Sequence, residues 1–185
     1  PFEVAPGVWW LRFTMPGPLN HINLWLLEDG DGWTIVDTCL NLETAKAHWE
    51  ALFDGFMGGK PVKRVICTHM HPDHIGLAGW LCERFACDLY MTQAEFLTGS
   101  LIMGYTGEQA PSAAISFYHR SGFSTSQLDH YRDRFGAFGQ FTTPLPHNYQ
   151  RLTDRQTLAL GGRYWQIVVG QGHSPEHASL YCPAL

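Results

Sequence analysis

Residues 69 to 74 read His69-Met70-His71-Pro72-Asp73-His74, three imidazoles and a carboxylate within six positions. Imidazole is largely uncharged near neutral pH and is the commonest metal ligand there. Four ionisable groups this close would repel or waste burial, and a divalent cation removes that penalty. The chemistry such a cluster offers is metal binding.

The flanking residues say how the cluster is held. Val62 to Thr68 has the β-branched, breaker-free pattern of a buried strand. His69 and His71 follow at period two, so in extended backbone both side chains point the same way. Pro72 restricts His71 to extended conformations. From His74 the pattern is helical, with Ile75, Leu77, Ala78, Leu81 and Phe85 on one face. Asp73 suits the N-cap, and His74 then lies in the first turn. Ligands at the carboxyl end of a strand, where a loop meets a helix, sit where α/β sheets place their binding sites.

The motif Thr68-His69-Met70-His71-Pro72-Asp73-His74-Ile75-Gly76 resembles the H-x-H-x-D-H signature of the metallo-β-lactamase superfamily. Gly172-His173-Ser174-Pro175-Glu176-His177 is similar to its later G-H-[ST]-P-x-H motif, and Ile35-Val36-Asp37-Thr38 to its early strand ending in Asp-Thr. Cys39 stands where that family usually has Gly, so the turn there is expected to differ. The resemblance runs from about residue 20 to residue 182 and implies an αββα four-layer sandwich. It implies that His69, His71 and His173 hold a first metal, and that Asp73 and His74 belong to a second. Asp73 would also orient the nucleophile, a hydroxide bridging the metals and attacking a carbonyl carbon. A bound metal lowers the pKa of water from about 16 towards 7, and two ions about 3.5–4 Å apart clamp attacking and leaving oxygens. The implied cofactor is zinc, two ions, with iron or manganese as alternatives.

In this family a bridging Asp and a final His follow the second motif, and no candidate for either lies between Cys182 and Leu185. Pro1 is not an initiator Met. The expectation is therefore the N-terminal half to two-thirds of the fold, a piece of a longer polypeptide whose missing C-terminal segment completes it. The other reading is a natural half-domain that borrows strands from a partner. Three protein ligands plus water remain a common catalytic zinc arrangement.

Composition excludes several classes. Of 185 residues 45% are hydrophobic and 16% charged, enough for one domain with a core and too apolar for disorder. The net charge of -5, with 12 basic against 17 acidic residues and no Lys/Arg cluster, argues against nucleic acid as partner. No apolar run approaches the roughly 18 residues of a membrane span. Cysteines 39, 67, 82, 87 and 182 are odd in number and lack C-x-x-C spacing, as in a cytoplasmic protein with reduced thiols. Assembly as a homo-oligomer is left open.

The remaining elements are strands over 8–13, 22–27, 33–37, 88–91, 164–169 and 178–182. A helix from a cap at Asn41 to Phe53 and capping boxes at Thr92–Glu95 and Ser124–Gln127 complete the set. Gly161-Gly162 closes a hairpin whose second strand delivers His173. Residues 93–150 form a helical insertion between the ligand motifs. It reads either as a lid with an acyl-binding face from Leu101, Met103, Tyr105, Phe117 and Tyr118, or as simple packing. Pro144 to Tyr149 is stiff enough to rim a pocket. His177 is assigned to supporting the ligands, Asp37 to shaping the site floor. His21 is either a cleft residue or a surface histidine.

The expected activity is metal-dependent hydrolysis of an ester, thioester or lactone in a small substrate, as in the glyoxalase II-like and lactonase-like branches. An iron-dependent, persulfide dioxygenase-like redox enzyme is one alternative, because the same ligand types bind iron. A half-domain that binds metal without turnover is another.

Overall fold

The computed structural model describes all of residues 1–185. Four antiparallel strands open the chain: β1 (Phe2–Ala5), β2 (Val8–Thr14), β3 (His21–Asp29) and β4 (Gly32–Val36). Helix α1 (Glu43–Asp54) crosses over to β5 (Val62–Ile66), which pairs parallel with β4. Two short helices follow, α2 (Pro72–Ile75) and α3 (Ala78–Phe85), and β6 (Asp88–Thr92) pairs parallel with β5. The excursion from β6 contains α4 (Gln93–Gly104), α5 (Ser112–Arg120) and α6 (Thr125–Arg134), and returns to β7 (Gln150–Leu152), parallel to β6. The insertion is thus a long crossover between neighbouring strands. The last three strands, β8 (Thr157–Leu160), β9 (Arg163–Gly170) and β10 (His177–Tyr181), form a separate antiparallel sheet in the order β10-β9-β8.

Alternation along the strands divides the core in two. Leu11, Phe13, Leu24, Leu26, Ile35 and Val65 pack against Trp49 and Phe53 of α1 and Leu81 of α3. Val8, Leu27, Val36 and Ile66 face the other way, onto Leu158, Leu160, Trp165 and Ile167 of the small sheet. β4 is buried along its whole length because it serves both cores. Helices, a seven-stranded sheet and a three-stranded sheet are the first three layers of an αββα sandwich. The outer face of the small sheet is open, with Tyr164 73% and Tyr181 56% exposed. No helix is long and apolar enough to cross a membrane.

Local differences from the sequence reading have physical causes. β1 and β7 are short edge strands, too brief for a periodicity signal. β5 ends at Ile66, so His69 and His71 lie on bends rather than in a strand. His71, at φ -61° and ψ 145°, is the N-cap of α2, with Pro72 at the first helical position, so Asp73 is inside the helix. The N-cap of α1 is Leu42, without a side-chain cap, and not Asn41. The Ser124–Gln127 capping box forms with both of its bonds. That at Thr92–Glu95 does not, because Thr92 Oγ1 donates to the Glu176 carbonyl, 2.9 Å away, and Glu95 turns into the protein. Gly161 and Gly162, at φ 59° and 73°, make the expected tight hairpin turn.

The helix predicted from His74 onward is broken at Gly76-Leu77, where α2 sits on the loop after β4. A Cβ on Gly76 would collide with the Cys39 carbonyl oxygen and lie 2.6 Å from that of Pro72. Gly76→Ala is therefore expected to cost about 1–3 kcal/mol or more through forced backbone movement, read as a lower urea midpoint.

Candidate metal centre

The site is built on Asp37, which follows β4 in the left-handed conformation at φ 62° and is almost fully buried. Its Oδ1 accepts from the Thr68 N–H at 2.8 Å. Its Oδ2 accepts from Thr68 Oγ1 at 2.8 Å and from His74 Nδ1 at 2.8 Å. Thr38 adds a second grip: its N–H and Oγ1 both donate to the His74 carbonyl, at 2.9 and 2.7 Å, and its Oγ1 accepts from the Leu77 N–H. The Asp-Thr pair therefore holds the whole 68–77 segment over the end of the sheet. Cys39 also has positive φ, 76°, so a cysteine here adopts left-handed backbone that favours glycine.

These bonds settle which ring nitrogens face inward. Thr68 Oγ1 has one hydrogen, which goes to the acceptor-only Asp37, so it accepts from His69 Nδ1 at 2.9 Å. His69 Nε2 then carries a lone pair. It stands 3.0 Å from His71 Nδ1 and 3.2 Å from His173 Nε2, and those two are 3.1 Å apart. His173 arrives from the other sheet, on the turn between β9 and β10. Ala178 N–H, bonded to the Thr68 carbonyl at 2.8 Å, ties that turn down.

Protons cannot satisfy such a triangle. Burial, and then the neighbouring imidazoles, push the His69 pKa down to about 2. Burial and His173 lower that of His71. The His69, His71 and His173 rings converge on one point, and their ligand atoms all lie within 4.8 Å of one another. Nitrogens about 2.0–2.1 Å from a tetrahedral zinc stand about 3.3 Å apart, close to the spacings seen, so the donor set fits a divalent cation. His74 differs: burial opposes its charge, yet Asp37 and then Asp73 raise its pKa. Its Nδ1–H is committed to Asp37, and its Nε2 faces Asp73 Oδ2 at 3.4 Å. Asp73 and His74 thus form a separate pair beside the triad.

Other sequence candidates fall into place around this. The His177 ring lies beside His69, centroids 4.8 Å apart. His21 pairs with Arg12 and Asn20, outside the cluster. Cys39, with its pKa raised to about 11 by burial, and Cys67, raised well above the usual thiol value by burial, remain thiols. All five cysteines are unpaired. Of the five apolar residues suggested for a lid face, Met103 lines a cavity of about 540 Å³, together with Phe96, Ser100, Leu145, Pro146 and His147. Leu101, Tyr105 and Phe117 are exposed, and Tyr118 packs on Phe123 and Tyr131. Gly99 lets α4 approach the metal loop, for a Cβ there would already stand 3.4 Å from Met70 Cβ.

Sequence reasoning missed Thr68 and Glu95. Thr68 sits beside the motif and could have been flagged as its orienting hydroxyl. Glu95 was disguised as a capping residue. Its buried carboxylate instead accepts from the Met70 N–H at 2.9 Å and the Glu176 N–H at 2.6 Å.

Losing the Thr68 hydroxyl should free the His69 ring. Thr68→Val is expected to weaken zinc binding about 10–100-fold by calorimetric titration, with Thr68→Ser close to wild type.

The profile of the Metallo-beta-lactamase superfamily matches residues 17–185. The solved structure of a beta-lactamase domain protein from Burkholderia ambifaria is 41% identical, with a TM-score of 0.83 over 99% of this chain and 51% of that one. A metallo-beta-lactamase family protein from Thermus thermophilus is 26% identical, with a TM-score of 0.76 over 97% of this chain and 57% of its own. A Bacillus subtilis protein described as a probable metallo-hydrolase, YybB, is 26% identical over 97% of this chain and 65% of its own length. A linear primary-alkylsulfatase from Pseudomonas sp. is 39% identical over 75 residues, which are 40% of this chain and 10% of that protein. The chain spans about half of the two solved relatives and 65% of the Bacillus protein. With its matched profile, fold and histidine cluster, the chain belongs to the metallo-beta-lactamase superfamily.

Proposed function

We propose that this chain supplies the metal-binding part of a metal-dependent hydrolase that cleaves an ester, thioester or lactone bond in a small substrate. The observation that carries the reading is the convergence of His69 Nε2, His71 Nδ1 and His173 Nε2 from two sheets, at 3.0–3.2 Å separations. His69, His71 and His173 would hold the first ion, zinc by ligand type, and Asp73 with His74 would contribute to a second. Such an ion supplies a lowered pKa for water and polarisation of a carbonyl.

The residues of the chain do the rest. Asp73, half-buried and beside His74, would accept a proton from the attacking water and hold that water towards the substrate. His74, anchored on Asp37, keeps the Asp73 carboxylate in place. The cavity along α4 is of a size that takes a small molecule, and its Phe96, Met103 and Leu145 side chains suit an acyl group. In this reading the 93–150 insertion is a specificity lid. The local likeness to an alkylsulfatase adds sulfate esters to the substrates worth testing.

The test is metal quantification with a screen of thioesters, lactones, carboxylic esters, phosphodiesters and a primary alkyl sulfate. His71→Ala is expected to remove both metal and turnover, and wild-type turnover in that variant overturns the mechanism. Met103→Trp, which fills part of the cavity, is expected to raise KM for the best acyl substrate about 10-fold or more with metal content unchanged.

A further inference from the structure

We propose that Glu95 is a positioning residue for the metal centre: its carboxylate sets the separation of the two loops that carry His71 and His173. The inference rests on the metal-centre reading above. Met70, between His69 and His71, donates its N–H to Oε2 at 2.9 Å. Glu176, three residues after His173, donates its N–H to Oε1 at 2.6 Å. One side chain thus spans two segments that follow strands of different sheets, one 25 residues before Glu95 in the chain and the other 81 residues after it.

The site is built for this arrangement. Glu95 is fully buried, and a buried carboxylate is costly unless its oxygens are hydrogen-bonded. Both oxygens have a main-chain donor, and the first turn of α4 favours negative charge there. The link is reciprocated from the other loop, because Glu176 Oε2 accepts from the Ala94 N–H at 3.0 Å and the Glu176 carbonyl accepts from Thr92 Oγ1 at 2.9 Å. Neither bond touches a metal-facing nitrogen, so Glu95 acts through the backbone. A glutamine of the same shape accepts through one oxygen only. Its NH2 group would face one of the two N–H donors and push that loop away.

The experiment compares the wild-type protein with Glu95→Gln. Zinc(II) affinity is measured by chelator competition, the cobalt(II) d–d spectrum is recorded, and melting temperatures are taken with and without zinc. The expected result is about 10–100-fold weaker zinc binding, an altered cobalt spectrum and a smaller zinc-induced rise in Tm. Zinc affinity and a cobalt spectrum equal to wild type overturn the inference. If Glu95→Gln merely lowers the metal-free Tm and keeps the full zinc-induced rise, Glu95 is only a structural anchor and the inference is again overturned. Wild-type protein that takes up no zinc sinks the metal reading itself, and is thereby told apart from wild-type uptake matched by the variant.

Discussion

The carboxylate of Asp37 is the contact on which the rest of the site depends. It receives the backbone and hydroxyl of Thr68 and the ring of His74, the two flanks of the histidine motif. Through Thr68 it decides which nitrogen of His69 is free to bind. To reach this position the chain leaves β4 in left-handed backbone, which is tolerated better by Asp than by most residues. Strained backbone of this kind, at Asp37 and again at Cys39, costs about 1–3 kcal/mol per residue and persists where the surroundings over-determine it. Here the surroundings are the Thr38 grip on His74 and the close seating of Gly76 on Cys39.

The two sheets have different tasks in this arrangement. The large parallel-centred sheet carries Asp37 and the first histidine motif at the carboxyl ends of β4 and β5. The small sheet brings His173 against them, with His177 beside His69. The apolar layer between the sheets, from Val36 and Ile66 to Trp165 and Ile167, therefore fixes not only the fold but the distance across which the triad closes.

What was legible in the sequence was whatever had a strong local signal. Strands β2 to β6 show in their aromatic, aliphatic and β-branched runs, the hairpin in its double glycine, α6 in its capping box, and the triad in the resemblance of two motifs to those of the family. The misses came from tertiary contacts that override local propensity. Glu95 had the spacing of a helix cap, but two distant N–H groups displaced the local one. His69 and His71 share a side because Asp37, Thr68 and Pro72 shape a bend, although period-two spacing suggested a strand. The cavity beside α4 drew residues from 96 to 147, and a single stretch such as Pro144 to His147 showed only stiffness. Asp37 was read as the floor of the site from its motif, while its bonds to Thr68 and His74 could be seen only in three dimensions.

The supports around the triad grip main chain as well as side chain: besides the Thr68 hydroxyl and the His74 ring, Asp37 and Glu95 hold the amides of Thr68, Met70 and Glu176. Amides are the same in every residue but proline. Evolution can then exchange the side chain at position 70, which looks towards the helical excursion, without disturbing the imidazoles on either side of it. A scaffold anchored in this way lets its recognition surface drift while its reactive centre stays put, which is a structural route to many substrates from one architecture.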